Sequence, residues 1–464
     1  MSGRRPGTRS IEFSLVFAGL VSAVVSSLGM LLVPSVAHEM SVSIPTAQWT
    51  MTVTLLAGSI ATPLLGRLAD GPHPRRTLNV SLLVIAVGSV ITALAPDFTV
   101  FLIGRTFQGI AYGLVPITIV LARRRLPVDR VPGTISTLSV LVAVGIGLGY
   151  PLTGLLAAVA GFRAAFWAAA AFSVLALVIA QLLVPSDTPG DIARPLDVIG
   201  AVLLSIGLGC GLLVLGEGRL WGWLSTPTLV LCGISIGALA GWVLWERRNP
   251  HPLVDLRVIG QFDVAIANVT ALGIGAALFI GVSVVSLIAQ APPTTSYGMG
   301  LSVVAAGFVM VPLSAGSLAA NRLLRLRRVR MPLESVLTAS AAVVACSLVF
   351  LTLAHDQLWE VLAGMLLFGI GVGGSFFAMP VLISRSVAEA ELGSAVSFNQ
   401  VLRTAGGSIG SAVAGALLIT SPTGVTGYPD DVGIAFAAGT AIGVGVLLLL
   451  ILRQANAWWR GRPL

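Results

Sequence analysis

Gly66-Arg67-Leu68-Ala69-Asp70-Gly71-Pro72-His73-Pro74-Arg75-Arg76-Thr77-Leu78 is an island of charge and turn formers between two apolar runs, near 46 to 66 and 77 to 96. A run of about 20 apolar residues just spans a bilayer as a helix. Glycine and proline break such a helix, and charge belongs outside the hydrocarbon. The same alternation of long apolar runs and short charged or Pro/Gly-rich breaks repeats along the whole chain.

Composition agrees. Of 464 residues, 56% are hydrophobic and only 10% charged, against about 25% charged in soluble domains. All 27 basic residues are arginine. A Walker A loop and a Schiff-base enzyme both need a lysine, so neither mechanism is available. Cys210, Cys232 and Cys346 sit in apolar runs without CxxC spacing, which predicts neither disulfides nor a metal site. The four scattered histidines supply no cluster for a membrane enzyme, and no basic stretch is interleaved with aromatics for nucleic acid.

The runs predict fourteen transmembrane helices: six at 12 to 36, 46 to 66, 77 to 96, 99 to 121, 132 to 158 and 163 to 184; a pair at 197 to 216 and 226 to 245; and six more at 263 to 290, 300 to 321, 332 to 354, 358 to 384, 393 to 420 and 431 to 452. The division is a terminus at 1–11, an N-terminal six-helix bundle at 12–184, two extra helices with linkers at 185–262, a C-terminal six-helix bundle at 263–452 and a tail at 453–464. The first run is too long for a secretory signal and reads as a retained helix. With an even count both termini share a side, and that side holds 23 arginines against two, Arg163 and Arg219, on the other. By the positive-inside rule both termini are cytoplasmic, in a bacterial inner membrane, and the basic clusters face anionic lipid headgroups.

Internal repetition is present. Phe107-Gln108-Gly109-Ile110-Ala111-Tyr112-Gly113 in the fourth helix is echoed by Leu367-Phe368-Gly369-Ile370-Gly371-Val372-Gly373, in the fourth helix of the second six. Duplicated halves that rock about a central site are a common transporter plan.

The Gly66 to Leu78 stretch, with Gly66, Asp70, Arg75 and Arg76, resembles the loop signature of the major facilitator superfamily. Gly104-Arg105-Thr106-Phe107-Gln108-Gly109 resembles its Arg-x-x-Gln-Gly helix, and Gly145, Gly147, Gly149, Pro151 and Gly154 resemble the antiporter signature, although Tyr150 and Leu155 stand where glycines are usual. The inserted Leu196-Asp197-Val198-Ile199-Gly200, Leu220-Trp221-Gly222-Trp223 and Trp245-Glu246-Arg247-Arg248, with Ser397-Phe398-Asn399 through Arg403, resemble the fourteen-span drug:proton antiporter branch. The resemblance implies an all-α major facilitator fold and proton-driven export of drugs, dyes or secondary metabolites by alternating access. It makes Asp70 with its arginines the gating motif, Arg105 a proton-coupling residue, and Gly149, Pro151 and Gly154 a helix-kink motif. It implies no cofactor and no metal.

One departure matters for mechanism. The branch's first helix carries an aspartate nine residues before a proline; here Pro34 is preceded at that distance by Val25. The remaining acids fall near span ends, which leaves Asp70 or Asp263 as coupling candidates beside Arg105 and Gln108. An arginine in a span costs about 2.5 to 3.5 kcal/mol, so Arg105 and Arg403 need partners. Without midplane acids they favour an anionic or zwitterionic substrate, unless Arg403 bonds backbone carbonyls. Candidate cavity walls are Met30, Tyr112, Phe376, Phe377, Met379, Asn399 and Arg403, because mixed aromatic and methionine surfaces suit varied apolar ligands. The expected partners are a small molecule, protons and membrane lipid. A lipid or metabolite exporter with different coupling is the alternative.

Overall fold

The computed structural model describes residues 7–28, 32–187, 197–295, 297–326, 332–417 and 429–459. The described residues form helices joined by short turns. They run α1 (Thr8–Ser27), α2 (Val33–Glu39), α3 (Ile44–Asp70), α4 (Pro74–Leu94), α5 (Phe98–Gly109), a 3-10 turn (Ile110–Gly113), α6 (Leu114–Arg125), α7 (Val131–Ala160) and α8 (Phe162–Leu183). After these come α9 (Val198–Trp221), α10 (Thr226–Glu246), α11 (Leu256–Ile259), α12 (Phe262–Gln290), α13 (Val303–Phe308), α14 (Val311–Arg325), α15 (Leu333–Leu353), α16 (Leu358–Ser386), α17 (Leu392–Leu417) and α18 (Pro429–Trp459).

Among the described residues, twelve helices are long and apolar enough to cross a membrane, or thirteen when the bent α7 is taken as one span. This is a multi-pass membrane protein. The bend in α7 is 44° between Val131–Gly145 and Gly147–Ala157. Pro151 accounts for it, because a proline ring clashes with the carbonyl four residues earlier, here that of Gly147. Helix α17 is not among the twelve; its 26 residues include Asn399, Gln400, Arg403 and several hydroxyls.

Local chemistry sets the ends. Ser43 caps α3 by accepting from the Thr46 amide, Asp97 caps α5 and Asp197 caps α9. Gly161 turns α7 into α8 at φ +79° and Gly222 turns α9 into α10 at φ +89°, a region that side chains disfavour. Three expectations shift. The first run is two helices, α1 and α2. Helix α3 continues past 66 to Asp70, since nothing breaks it before Gly71-Pro72. The fourth span is interrupted by the 3-10 turn at Ile110–Gly113.

Two groups of helices result. Helices α1 and α3 to α8 pack on one another, as do α12 and α14 to α18; α3 and α6 meet α17 between the groups, and α7 meets α14 and α16. Helices α9 and α10 pair with each other and lean on α3 and α17 through α9. In lipid the helices are held by close packing rather than by expulsion of water, so small residues mark their contacts. The repeated segments show how. In α5 a side chain at Gly109 would meet the Thr54 carbonyl of α3 at 2.6 Å, and in α16 one at Gly373 would meet the Ser317 carbonyl of α14 at 2.7 Å. Thr54 Oγ1 donates to the Arg105 carbonyl at 3.2 Å, and Ser317 Oγ donates to the Gly369 carbonyl at 2.9 Å. Each hydroxyl reaches the carbonyl four residues before the glycine. The two contacts are of the same kind, although Gly109 aligns with Gly369 and they therefore sit one turn apart in the repeated segments.

Candidate functional site

The arginine-rich ends of the two groups are held together by polar contacts on helix termini. Helix α3 delivers Asp70 as its last residue, and the carboxylate accepts from the Gly393 amide at 2.7 Å, the Ser394 amide at 2.8 Å and the Ser394 hydroxyl at 2.6 Å. These are free donors of the first turn of α17, where the helix dipole favours negative charge. Gly66 allows the approach: a side chain there would meet the Gly393 carbonyl at 2.6 Å. Gly393 is equally tight against Gly66 and Asp70.

The opposite charge sits on the opposite helix end. Arg123, in the last turn of α6, donates to the Ser384 carbonyl at 2.8 Å and the Val387 carbonyl at 3.1 Å, at the C-terminus of α16. Arg124 donates to the carbonyls of Asp70 at 2.7 Å and Gly71 at 2.9 Å, and pairs with Glu389 at 3.5 Å. Farther along the helices, about 20 Å from the start of α7 at 1.5 Å of rise per residue, Ser314 of α14 donates to the Val144 carbonyl of α7 at 2.8 Å, beside Gly147, whose missing side chain leaves room for the Met310 carbonyl. A carboxylate on a helix N-terminus and a guanidinium on a helix C-terminus thus join the two groups at one end.

Arg75 and Arg76 are not part of this junction. Their amides donate to Asp187 at 3.1 and 3.2 Å, and the Arg75 guanidinium reaches the Gln181 carbonyl at 2.6 Å, which ties the start of α4 to the end of α8. Arg67 instead lines a small cleft with His251, Val254, Asp255, Glu391 and Ser394.

Arg105 is fully buried in the N-terminal group, and its partners are neutral: Nη1 donates to Gln108 Oε1 at 2.6 Å and Nε to the Thr50 carbonyl at 3.3 Å. Gln108 Nε2 donates in turn to Ser89 Oγ at 2.8 Å. Gln108 therefore bonds a neighbouring helix, and Arg105 turns inward rather than reaching an outer surface. Arg403 is buried in the other group, with its guanidinium 4.3 Å from the Phe376 ring centroid. Among the described residues no carboxylate pairs with either arginine, and Arg403 takes aromatic contact where backbone carbonyls had been the other expectation.

Of the remaining candidates, Asp263 pairs with Arg453 at 2.8 Å and accepts from Ser386 at 3.2 Å, a tie within the C-terminal group at its arginine-rich end. Asn399 donates to the Ala267 carbonyl at 2.9 Å and to Asn268 at 3.1 Å. Tyr112 lies half-buried against Gly58; Phe376 and Met379 are fully buried and Phe377 half-buried. Gly149 packs on Ser27 and Pro151 is buried, as is Gly154. Met30 lies outside the described residues. Arg123 and Ser394 were missed by sequence reasoning, since an arginine run or a serine before an apolar stretch carries no sign of a partner more than 250 residues away. Among the described residues no group of His, Cys, Asp and Glu could hold a metal.

Known proteins resemble this chain over much of its length. It is 27% identical over 406 residues to the tetracenomycin C resistance and export protein of Streptomyces glaucescens, covering 86% of this chain and 73% of that one. It is 31% identical over 289 residues to a triacylglyceride transporter of Mycobacteroides abscessus, covering 59% of this chain and 55% of that one. The chain spans about 60% of the length of the Mycobacterium tuberculosis relatives it matches along 89% of its own. The crystal structure of the human organic anion transporter MFSD10 (TETRAN) superposes with a TM-score of 0.68 over 96% of this chain and 100% of that one, at 14% identity, a likeness of fold alone. With the superfamily profile matching residues 15–411, the chain belongs to the Major Facilitator Superfamily.

Proposed function

We propose that this chain is a secondary-active exporter of hydrophobic or amphipathic small molecules, driven by proton antiport through alternating access, in the fourteen-span drug:proton antiporter branch. On this reading α17 is a polar thirteenth span that brings the count to fourteen, and the chain divides into six helices, an inserted pair and six helices. Both termini lie in the cytoplasm, and the membrane is the bacterial inner membrane.

The observation that carries the reading is the junction of Asp70 with α17 and Arg123 with α16. Its contacts are short, polar and confined to one end, so they part when that end opens and re-form when it closes, as a two-state gate requires. Relatives named for multidrug resistance and for tetracenomycin C export point to the same class. Expression in an efflux-deficient bacterium should raise resistance to some members of a panel of amphipathic dyes and polyketide antibiotics, and Asp70→Asn should abolish the gain. A panel left unchanged by well-expressed wild-type protein would count against drug export.

A second reading, export of lipid with atypical or weak proton coupling, draws on a specific feature. A small, mostly apolar cleft lies between α3 and the inserted α9, lined by Ile60, Pro63, Leu64, Leu204, Leu208 and Leu253 among others. Its mostly apolar walls suit an acyl chain. Release of labelled triacylglycerol from proteoliposomes separates the two readings.

A further inference from the structure

Among the described residues four carboxylates are buried, and three of them, Asp197, Glu217 and Glu246, belong to the inserted pair rather than to either helix group. Two of these three have full sets of donors. Asp197 accepts from the Gly200 amide at 2.9 Å and from the Trp245 indole at 3.0 Å. Glu246 accepts from the Trp242 indole at 2.8 Å and from the amides of Leu253 and Val254 at 3.0 and 3.3 Å. Asp197 ties the start of α9 to the end of α10, and Glu246 holds the loop at Leu253 and Val254.

Glu217 differs. It lies near the other end of α9, about 30 Å from Asp197 at 1.5 Å of rise per residue. It is 3% exposed, one residue from the end of the span Val198–Gly218, and its one described hydrogen bond comes from Thr52 Oγ1 of α3 at 3.3 Å. That hydroxyl has a single proton, and the Gln48 carbonyl at 3.5 Å competes for it. Among the described residues no charged neighbour compensates. On α3 the charged residues are Arg67 and Asp70, at its far end; α10 carries Cys232 and, at its far end, Glu246; α17 carries Arg403. On α9 itself lie Cys210 in mid-span and Arg219, whose side chain is outside the described residues. No described charged group interacts with Glu217. A buried acid at the end of a span, held by one shared hydroxyl and by no described charge, is a candidate functional group, since burying its charge costs free energy.

Its position connects it to rocking. The inserted pair touches α3 of one group and α17 of the other, and Trp242 of α10 stacks on Phe398 of α17 at 6.0 Å between centroids. When α3 moves against α17 the pair cannot keep both contacts. An apolar stack holds it to α17, while one shared hydroxyl joins Glu217 to α3.

We propose that Glu217 binds and releases a proton during the transport cycle, and so supplies from the inserted pair the membrane acid missing at Val25. When Glu217 is ionised, the Thr52 hydroxyl donates to Oε1. On proton uptake from water, one new O–H bond forms on Glu217, which donates to Thr52 Oγ1, and the Thr52 proton turns to the Gln48 carbonyl. The two arrangements use the same atoms with the donors reversed. The proposal rests on the antiport reading above for its use, but not for its detection.

Infrared difference spectra of the purified full chain between acid and alkaline pH test it without a substrate. A carboxylic-acid carbonyl band should titrate in wild type, vanish in Glu217→Gln, and shift without vanishing in Thr52→Val. A band unaltered by Glu217→Gln, or no band in wild type, overturns the proposal. In proteoliposomes loaded with ethidium, Glu217→Gln should lose pH-driven accumulation and keep gradient-free exchange. Full pH-driven accumulation by that variant overturns the proposal as well. A Glu217 band without pH-driven flux in wild type leaves the proton site standing and overturns the antiport reading instead.

Discussion

Asp70 ends α3 and Ser394 begins α17, and two hydrogen bonds of 2.8 and 2.6 Å join them across the two helix groups. With the Gly393 amide, one carboxylate takes three donors from a helix N-terminus. Hydrogen bonds to a charged group contribute about 1.5 to 3 kcal/mol each before coupling between them is allowed for. Asp70→Asn keeps the shape and removes the charge, and an amide nitrogen turned toward α17 opposes donors with a donor. The expected result is a shift of about tenfold or more toward the state open at the arginine-rich end, which corresponds to about 1.4 kcal/mol. Labelling of single cysteines placed between α3 and α17 measures it; unchanged labelling would show that Asp70 does not hold the gate.

Gly66 and Gly393 set the distance at which that bond forms. Gly66→Ala places a methyl group 2.6 Å from the Gly393 carbonyl, closer than packed atoms tolerate. Flux should fall to near background while the purified protein elutes as wild type does. Retained flux would mean that the groups do not close this tightly during turnover.

Arg105 and Gln108 are a single unit. Removing the guanidinium leaves Gln108 Oε1 without its donor, at about 1 to 3 kcal/mol, while the Thr50 carbonyl keeps the Thr54 hydroxyl at 2.8 Å. Arg105→Ala should therefore lower thermal stability and stop transport, and Arg105→Lys should rescue little. One ammonium cannot reproduce a planar fork that serves two acceptors. Thermal unfolding in detergent, read beside flux, checks both parts.

Arg403 calls for the opposite expectation. It lies over Phe376 with no acidic partner among the described residues. Replacing a buried charge by an apolar residue of similar length is often neutral or stabilising, by about 1 to 4 kcal/mol. Arg403→Met should keep or raise stability and should lose transport of anionic or zwitterionic substrates while sparing cations. Wild-type protein that moves organic cations and no anion, or an Arg403→Met variant that keeps full anion transport, would contradict an anion preference.

Contacts at the rim should matter less. Glu12 pairs with Arg130 at 3.5 Å and with Arg325 at 3.9 Å, all partly exposed. Such pairs contribute about 0 to 1 kcal/mol. Glu12→Gln should leave flux within about twofold of wild type, at a cost well below that of Asp70→Asn. An effect as large as that of Asp70→Asn would move the gate to the rim.

Much of this protein was legible in its sequence because the bilayer is a strict solvent. Apolar runs must become helices, since no water is present to satisfy a free backbone, and arginines gather at one set of ends. The glycines of the repeated segments foretold close packing, which Gly109 and Gly373 provide on α3 and α14. Those features are local and repeat along one dimension. What sequence could not supply was partnership. Nothing in the chain near Asp70 announces Ser394, and Arg123 reads as one more basic residue beside a headgroup until α16 brings the Ser384 carbonyl to it. Arg75 and Arg76 have the spacing of the gating signature, yet their contacts lie on Asp187 and Gln181. Glu217 looks like an acid near a span end, and only the packing of α9 on α3 buries it beside Thr52. Sequence by itself determined which of the described helices are long and apolar enough to cross a membrane, because that depends on each segment's own transfer free energy. The tertiary structure alone decided which polar groups meet, because those pairs lie as many as 324 residues apart and helix packing sets their distances.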